Sequence, residues 1–84
     1  MKELEKQLRK NGFDYKQVKE TEKGFIYSQS MPIEEGGKLI AYEVFERKEN
    51  TQYDCISFPT NEAFGKWAWT YKSLQDAENK LITF

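Results

Sequence analysis

The sequence predicts an α+β domain in which a single antiparallel sheet of four or five strands, a meander, is flanked on one face by an N-terminal and a C-terminal helix. Two observations lead to this fold class. The middle of the chain contains short segments of alternating apolar and polar residues, separated by turn residues, as antiparallel strands do. Each end instead carries apolar residues at helical spacing. With 84 residues, the chain is expected to form one domain over residues 1–84.

The N-terminal helix is predicted over Lys2–Lys10, where Leu4 and Leu8 lie four residues apart among charged side chains. The pair Asn11-Gly12 is interpreted as the signal that ends this helix. A helix of this length is not stable in isolation, so it is expected to dock on the sheet through its narrow apolar stripe.

Four segments have the composition and the boundaries of strands. They are Tyr15–Thr21, Phe25–Ser30, Lys38–Arg47 and Gln52–Phe58. The first is polar and carries Lys16 and Lys19, which predicts an edge strand that resists pairing with other chains. The third has apolar residues on both faces, which predicts a strand in the middle of the sheet.

The segment before the last helix has two interpretations. Phe64, Trp67 and Tyr71 have helical spacing, whereas Trp67, Trp69 and Tyr71 have strand spacing. We favour a fifth strand over Lys66–Tyr71, because Trp, Thr and Tyr prefer strands.

The C-terminal helix is predicted to begin after Ser73, a good N-cap residue that Asp76 follows three positions later. Leu74, Ala77 and Leu81 form its apolar face. The predicted order of elements is therefore α-β-β-β-β-(β)-α.

The chain contains thirteen aromatic residues, namely six Phe, five Tyr and two Trp. Because each ring buries about 150–250 Å², rings are expected to supply much of the core of so small a domain. The predicted core is Leu4, Leu8, Phe25 or Ile26, Ile40, Val44, Ile56, Phe58, Trp67, Trp69, Leu74, Ala77 and Leu81.

Catalysis and metal binding find little support in the sequence. There is no histidine, the side chain most often used for proton transfer and metal ligation near neutral pH. The single cysteine, Cys55, lies in a predicted strand and is interpreted as a buried structural residue. Glu34-Glu35 precedes two glycines, which predicts a solvated turn rather than a cation site. Four carboxylates are available for acid–base chemistry in principle, Glu20, Glu22, Glu43 and Glu46. We expect no enzyme activity, no cofactor and no metal.

The cellular setting is predicted from the absence of targeting signals. No stretch approaches the roughly 20 apolar residues of a membrane span, and residues 1–5 contain no signal-peptide core. One cysteine allows no internal disulfide and fits a reducing compartment. A cytoplasmic protein without membrane contact is expected.

A protein-binding module is the favoured function, with another protein or a second copy of this chain as the partner. The segment from Phe58 to Trp69 is richer in rings than an ordinary loop, and such rings are enriched at interface hot spots. The candidate partner-binding residues are Phe64, Trp67, Trp69 and Tyr71, with Tyr42 and Tyr53 as a second patch and Lys66 and Lys72 as a polar rim. An exposed sheet edge is a second route to a partner, by strand addition or self-pairing.

Single-stranded nucleic-acid binding is the alternative. Tyr27, Tyr42 and Tyr53 on an open sheet face could stack on unpaired bases, with Lys38, Arg47 and Lys48 near phosphates. The net charge of −1 gives no general nucleic-acid footprint. The order of elements resembles the double-stranded-RNA-binding domain. That family carries lysines at the start of its last helix, where Lys72–Glu78 here includes two acids, so no site is carried over.

The segment FPTNEAFGKWAWTYKSLQDAENKL, with AYEVFERK before it, resembles small uncharacterised proteins encoded in bacterial genomes and on phages or other mobile elements. The resemblance implies a prokaryotic or phage origin and an intracellular setting, and it brings no catalytic or binding residues. Small phage proteins of this kind often bind host macromolecules, so the resemblance favours binding over catalysis.

Overall fold

Five antiparallel strands form the main sheet of this α+β chain, and one C-terminal helix packs on it in the computed structural model, which describes residues 2–84. The elements are β1 (Gln7–Lys10), β2 (Phe13–Glu20), β3 (Gly24–Ser30), β4 (Leu39–Glu46), β5 (Glu49–Asn50), β6 (Cys55–Ile56), β7 (Ala68–Tyr71) and α1 (Leu74–Ile82). The strand order is β1-β2-β3-β4-β7, while β5 and β6 pair separately as a two-stranded ribbon. The predicted antiparallel sheet and C-terminal helix are confirmed.

The predicted N-terminal helix is wrong, because the second half of that segment is strand β1. Asn11 and Gly12 both have positive φ angles, 54° and 81°, and they connect Lys10 to its cross-strand partner Phe13. A two-residue Asn-Gly turn with this geometry joins the strands of a hairpin, because its twist matches theirs. The same dipeptide that suggested a helix end therefore specifies a β-hairpin.

The N-terminal strand changes which strand lies at the edge of the sheet. β2 pairs with β1 on one side and β3 on the other, so the prediction of an edge at Tyr15–Thr21 is wrong. The edges are β1 and β7. β4, the predicted central strand, does lie inside the sheet between β3 and β7.

The predicted strand Gln52–Phe58 is wrong except at β6, since residues 51–54 form a turn. The Asn50 side-chain oxygen accepts hydrogen bonds from the backbone N–H groups of Gln52 and Tyr53, at 3.1 and 3.2 Å. Such an Asx-type turn reverses the chain, and Asp54 closes it with a positive φ of 51°. The fifth predicted strand, by contrast, is confirmed as β7 beside β4.

The helix packs on one face of the sheet, called here the helix side. Ser73 is the N-cap, as predicted, and its Oγ accepts a hydrogen bond from the backbone N–H of Asp76 at 3.2 Å. Ala77 and Leu81 of α1 are buried with two sheet residues, Ile26 and Val44. The small side chain of Ala77 allows the helix to approach the sheet closely.

Residues 47–67 cover the opposite face, called here the loop side. This layer contains β5, β6 and the 3₁₀ turn Asn61–Ala63. Tyr27 and Phe45 stack with ring centroids 5.6 Å apart, and the Phe58 ring of the covering layer lies edge-on to both at 5.2 Å. Offset and edge-to-face arrangements of this kind are the favourable ones for aromatic pairs. The sheet therefore has a covered core on each side.

The predicted core is correct for the residues that face the helix and incomplete for the loop side. Both Phe25 and Ile26 are fully buried, since each face is covered. The other confirmed buried residues are Val44, Ile56, Ala77 and Leu81. The remaining predicted core residues are partly buried, namely Leu4, Leu8, Ile40, Phe58, Trp67, Trp69 and Leu74. Buried residues that the prediction omitted are Tyr15, Tyr27, Ala41, Phe45, Ala63 and Ala68.

Candidate functional site

An open groove of about 770 Å³ lies where the end of α1 meets the β3–β4 end of the sheet. Two rings provide its apolar part, Trp69 of β7 and Phe84 at the end of the chain, with centroids 5.6 Å apart. Both rings are partly exposed. Trp69 is thus a predicted partner-binding residue that does reach the surface, and this Trp69 groove is the candidate site.

Gly24 makes room for the Phe84 ring. A Cβ atom on Gly24 would lie 2.7 Å from Cδ2 of Phe84 and 2.4 Å from the backbone oxygen of Phe45. Neither distance is tolerated between real atoms, so only glycine allows the tail to pack against the start of β3. The position of Phe84, and through it the shape of the groove, depends on this glycine.

Two cations hold the aromatic parts of the site in place. The Lys80 ammonium lies 4.0 Å from the centroid of the Trp69 ring, a cation–π contact. The Arg47 guanidinium lies 4.7 Å from the centroid of Phe25. Its Nη2 donates to Glu20 Oε2 and to the Thr21 carbonyl oxygen, each at 2.9 Å. These contacts fix one wall of the groove to the β2–β3 turn.

The rim of the Trp69 groove is charged with both signs. Its lining includes three cations and three carboxylates, Lys23, Arg47, Lys80, Glu22, Glu46 and Glu49. Glu22, Lys23 and Glu49 are exposed, and none of them makes an ion pair within residues 2–84. An apolar centre with a polar rim is the usual anatomy of a protein interface.

The six predicted partner-binding residues lie in different places rather than on one surface. Phe64 and Trp67 are half-buried in the loop-side core, where Trp67 lies edge-on to Phe45 at 6.4 Å. Tyr42 and Tyr71 are cross-strand partners on the helix side, half-buried beside α1. Tyr53 is 71% exposed in the turn between β5 and β6.

The predicted second patch and polar rim are not formed as proposed. Tyr42 belongs to the main sheet and Tyr53 to the separate ribbon, so they do not make one surface. Lys66 and Lys72 are exposed but do not line the Trp69 groove. Lys23 and Lys80 take the place of the expected lysine rim.

The three tyrosines of the nucleic-acid hypothesis do not form a stacking platform. Tyr27 is completely buried on the loop side, whereas Tyr42 is on the helix side and Tyr53 lies outside the main sheet. Burial raises the pKa of the Tyr27 hydroxyl above its ordinary value. That hydroxyl donates to the Glu5 carbonyl oxygen at 2.7 Å, which ties the N-terminal segment to the loop-side core.

Sequence reasoning missed Phe84 and Gly24 as parts of the site. Phe84 follows the helix at a position where a ring beyond the last turn can fold back on the sheet. Gly24 stands at a predicted turn, where its flexibility conceals its second role of leaving space. No periodic pattern connects residues that lie 60 positions apart.

A buried carboxylate, Glu43, lies away from the groove on the loop side. It is 7% exposed, and the Tyr15 hydroxyl donates to its Oε2 at 3.4 Å while accepting from Gln29 Nε2 at 2.9 Å. Burial raises the pKa of the Glu43 carboxyl, an effect that the Tyr15 hydrogen bond and the charge of Lys10 reduce. The hydrogen bonds satisfy polar groups inside the core.

Residues 2–84 contain no cluster of three or more acidic, Cys or His side chains arranged to hold a metal ion. In the same residues no helix has the length and apolar character needed to cross a bilayer. Comparison with protein-family models, curated proteins and solved structures finds no match to the chain. The geometry of the molecule therefore carries the functional argument by itself.

Proposed function

We propose that this chain is a non-enzymatic interaction module that binds another protein, a second copy of itself included, through the Trp69 groove. The observation that supports this function is the partly exposed pair of rings, Trp69 and Phe84, inside a rim of mixed charge. A partner side chain could pack on the rings while the rim fixes its orientation. The single Cys55 fits a reducing compartment, so we place this activity in the cytoplasm.

The rings are better suited to a partner than to a small substrate. The groove is open to solvent along its length, and its acids and bases are spread around the rim rather than gathered at one point. A small-molecule site normally encloses most of its ligand and brings a few polar groups together. A segment of another protein can cover such a groove in a way that a metabolite cannot.

The test is affinity capture from a prokaryotic cell lysate with four forms of the immobilised protein. Wild type and Lys66→Glu, whose exposed lysine lies outside the groove, are expected to retain the same partner. Trp69→Leu and Lys80→Glu are expected to lose about nine-tenths of it, because truncating a hot-spot ring or reversing a rim charge weakens binding at least tenfold. Thermal unfolding of each variant checks that the fold is intact.

Self-association is measured separately by sedimentation equilibrium. A dimer that Trp69→Leu dissociates and Lys66→Glu does not would identify a second copy as the partner. Equal capture by all four forms, with no dimer, would show that the Trp69 groove is not the binding surface. No partner and no dimer with any form would contradict the proposed function itself.

A further inference from the structure

Strand β1 has a free edge. The Lys6 carbonyl oxygen accepts from the Gln17 N–H at 2.8 Å, and Leu8 is opposite Tyr15 in the β1–β2 register. Hydrogen-bonded pairs alternate along an antiparallel ladder, so the N–H and C=O groups of Gln7 and Arg9 point away from the sheet. An edge with unpaired backbone groups is a template for another strand.

A groove lies beside this edge on each face of the sheet. On the loop side, a groove of about 480 Å³ is lined by apolar side chains that include Leu4, Leu8 and Phe58. On the helix side, a groove of about 470 Å³ has Gln7 and Lys16 among its lining residues, together with Ser28, Met31 and Ile33. Successive side chains of a strand point to opposite faces, so an added strand would place alternate side chains in the two grooves.

An ion pair holds one wall of the helix-side groove. Arg9 Nη1 lies 2.9 Å from Glu34 Oε1, and Arg9 Nε lies 2.7 Å from Asp14 Oδ1. Glu34 belongs to the 3₁₀ turn Ile33–Glu35, so this contact keeps Ile33 beside the end of β1. The Arg9 guanidinium lowers the pKa of the Glu34 carboxyl, consistent with a charged pair.

The charges along β1 indicate the chemistry of the occupant. Asp14 and Glu34 compensate Arg9, whereas Lys6 and Lys16 are exposed and make no ion pair within residues 2–84. Lys6 shares the face of its partner Gln17, and Lys16 lines the helix-side groove, so each face keeps one uncompensated cation. Carboxylates on an incoming strand would meet a positive charge on either face.

A second copy of this chain fits the edge poorly. Antiparallel pairing of two β1 strands about Leu8 would place Lys6 of each copy opposite Lys10 of the other. Like charges directly opposite one another destabilise a strand pair. Glu3 and Glu5 precede β1, so they do not relieve this repulsion within the strand.

We propose that the edge of β1 binds an extended acidic segment of another protein by strand addition, with apolar side chains of that segment in the loop-side groove. The two grooves beside β1 share no lining residue with the Trp69 groove. This inference therefore stands on its own observations and does not rest on the function proposed for that groove.

The test is an NMR titration of ¹⁵N-labelled protein with a seven-residue peptide in which valine alternates with glutamate. The amide signals of Gln7 and Arg9 are expected to shift most and to exchange with solvent more slowly, because they gain hydrogen bonds. A matched peptide with lysine in place of glutamate is expected to bind about tenfold more weakly. Lys16→Glu is expected to weaken binding of the acidic peptide several-fold and to reverse the preference between the peptides.

Gln7→Pro tests the backbone contact, because proline removes an N–H that β2 does not use and is tolerated at an edge. It is expected to reduce affinity about tenfold, while Gln7→Ala, which keeps the N–H, leaves affinity unchanged. Shifts centred on Trp69, equal binding of both peptides, or full affinity of Gln7→Pro would each overturn the proposal. A dimer that Gln7→Pro dissociates would replace the acidic segment with a second copy and also contradict it.

Discussion

The two faces of the sheet are equally well buried beneath different covers. On the helix side, Ile26 and Val44 are completely buried under a regular helix, α1. On the loop side, Phe25, Tyr27 and Phe45 are as completely buried under residues 47–67, which contain only short regular elements. Complete burial therefore does not require a regular covering element.

The side chains explain how an irregular layer can seal a face. On the helix side, small and medium aliphatic residues fill the space, since Ala77 brings the helix axis close. On the loop side, rings span the gap, and Phe58 from the covering layer lies edge-on to Tyr27 and Phe45. Large rings bury much area for each residue fixed, so fewer covering residues need a regular conformation.

Neighbouring residues on β4 provide the strongest test of this comparison, because Val44 and Phe45 point to opposite faces and are both fully buried. Phe45→Ala is expected to lower the free energy of unfolding by about 3–5 kcal/mol, since it removes a ring that contacts several others. Val44→Ala is expected to cost about 2 kcal/mol, because it removes fewer buried atoms. Urea unfolding followed by circular dichroism measures both values.

The matched pair also gives the result that would break the comparison. If Phe45→Ala cost no more than Val44→Ala, the loop layer would be yielding enough to fill the space, and its apparent packing would contribute little. Phe58→Leu serves as the control from the covering layer itself. It keeps an apolar side chain and is expected to cost less than Phe45→Ala.

The same contrast explains how much could be predicted from the sequence. The helix-side core follows from periodicity: Leu74, Ala77 and Leu81 repeat with helical spacing, and β4 alternates as a strand. The loop-side cover has no period, so nothing in the pattern distinguishes residues 47–67 from exposed loops. The N-terminal hairpin was predictable in principle, since Asn11-Gly12 is a hairpin signal, but two leucines at helical spacing favoured the wrong element.

The candidate sites divide along the same line. Trp69 was predicted as a contact residue, and its exposure follows from a position at the end of α1 where the helix no longer covers the sheet. The grooves beside β1 were not predictable, because they depend on β1 being a strand and on the loop layer reaching Leu8. Local sequence specifies elements, whereas these surfaces arise where distant segments meet.

The buried carboxylate gives the second prediction, a pH dependence confined to the loop side. Glu43 has a raised pKa in the folded state because burial favours its protonated form. Its contribution to stability is therefore fully present below the pKa of the unfolded chain and is lost as pH rises through the folded pKa. The loss amounts to about 1.4 kcal/mol for each unit by which folding raises the pKa.

Glu43→Gln isolates this effect, since glutamine is uncharged and its oxygen can still accept from the Tyr15 hydroxyl. The difference in unfolding free energy between wild type and Glu43→Gln is expected to change in favour of the variant as pH rises, and then to become constant. Urea unfolding from pH 4 to 8 measures it. A difference that is independent of pH would show that the carboxyl is solvated, and hence that the loop layer does not exclude water.

The N-cap of α1 gives the smallest effect and the sharpest separation of the two faces. Ser73→Ala removes the oxygen that accepts from the Asp76 N–H, and it is expected to lower the free energy of unfolding by about 1 kcal/mol. Ser73→Asn, which keeps a capping oxygen, is expected to leave stability nearly unchanged. Amide hydrogen exchange distinguishes local from global loosening: with the cap removed, the first turn of α1 should exchange faster relative to β3. Uniform acceleration of both would mean that the helix and the loop layer unfold together, because the sheet they share couples its two covers.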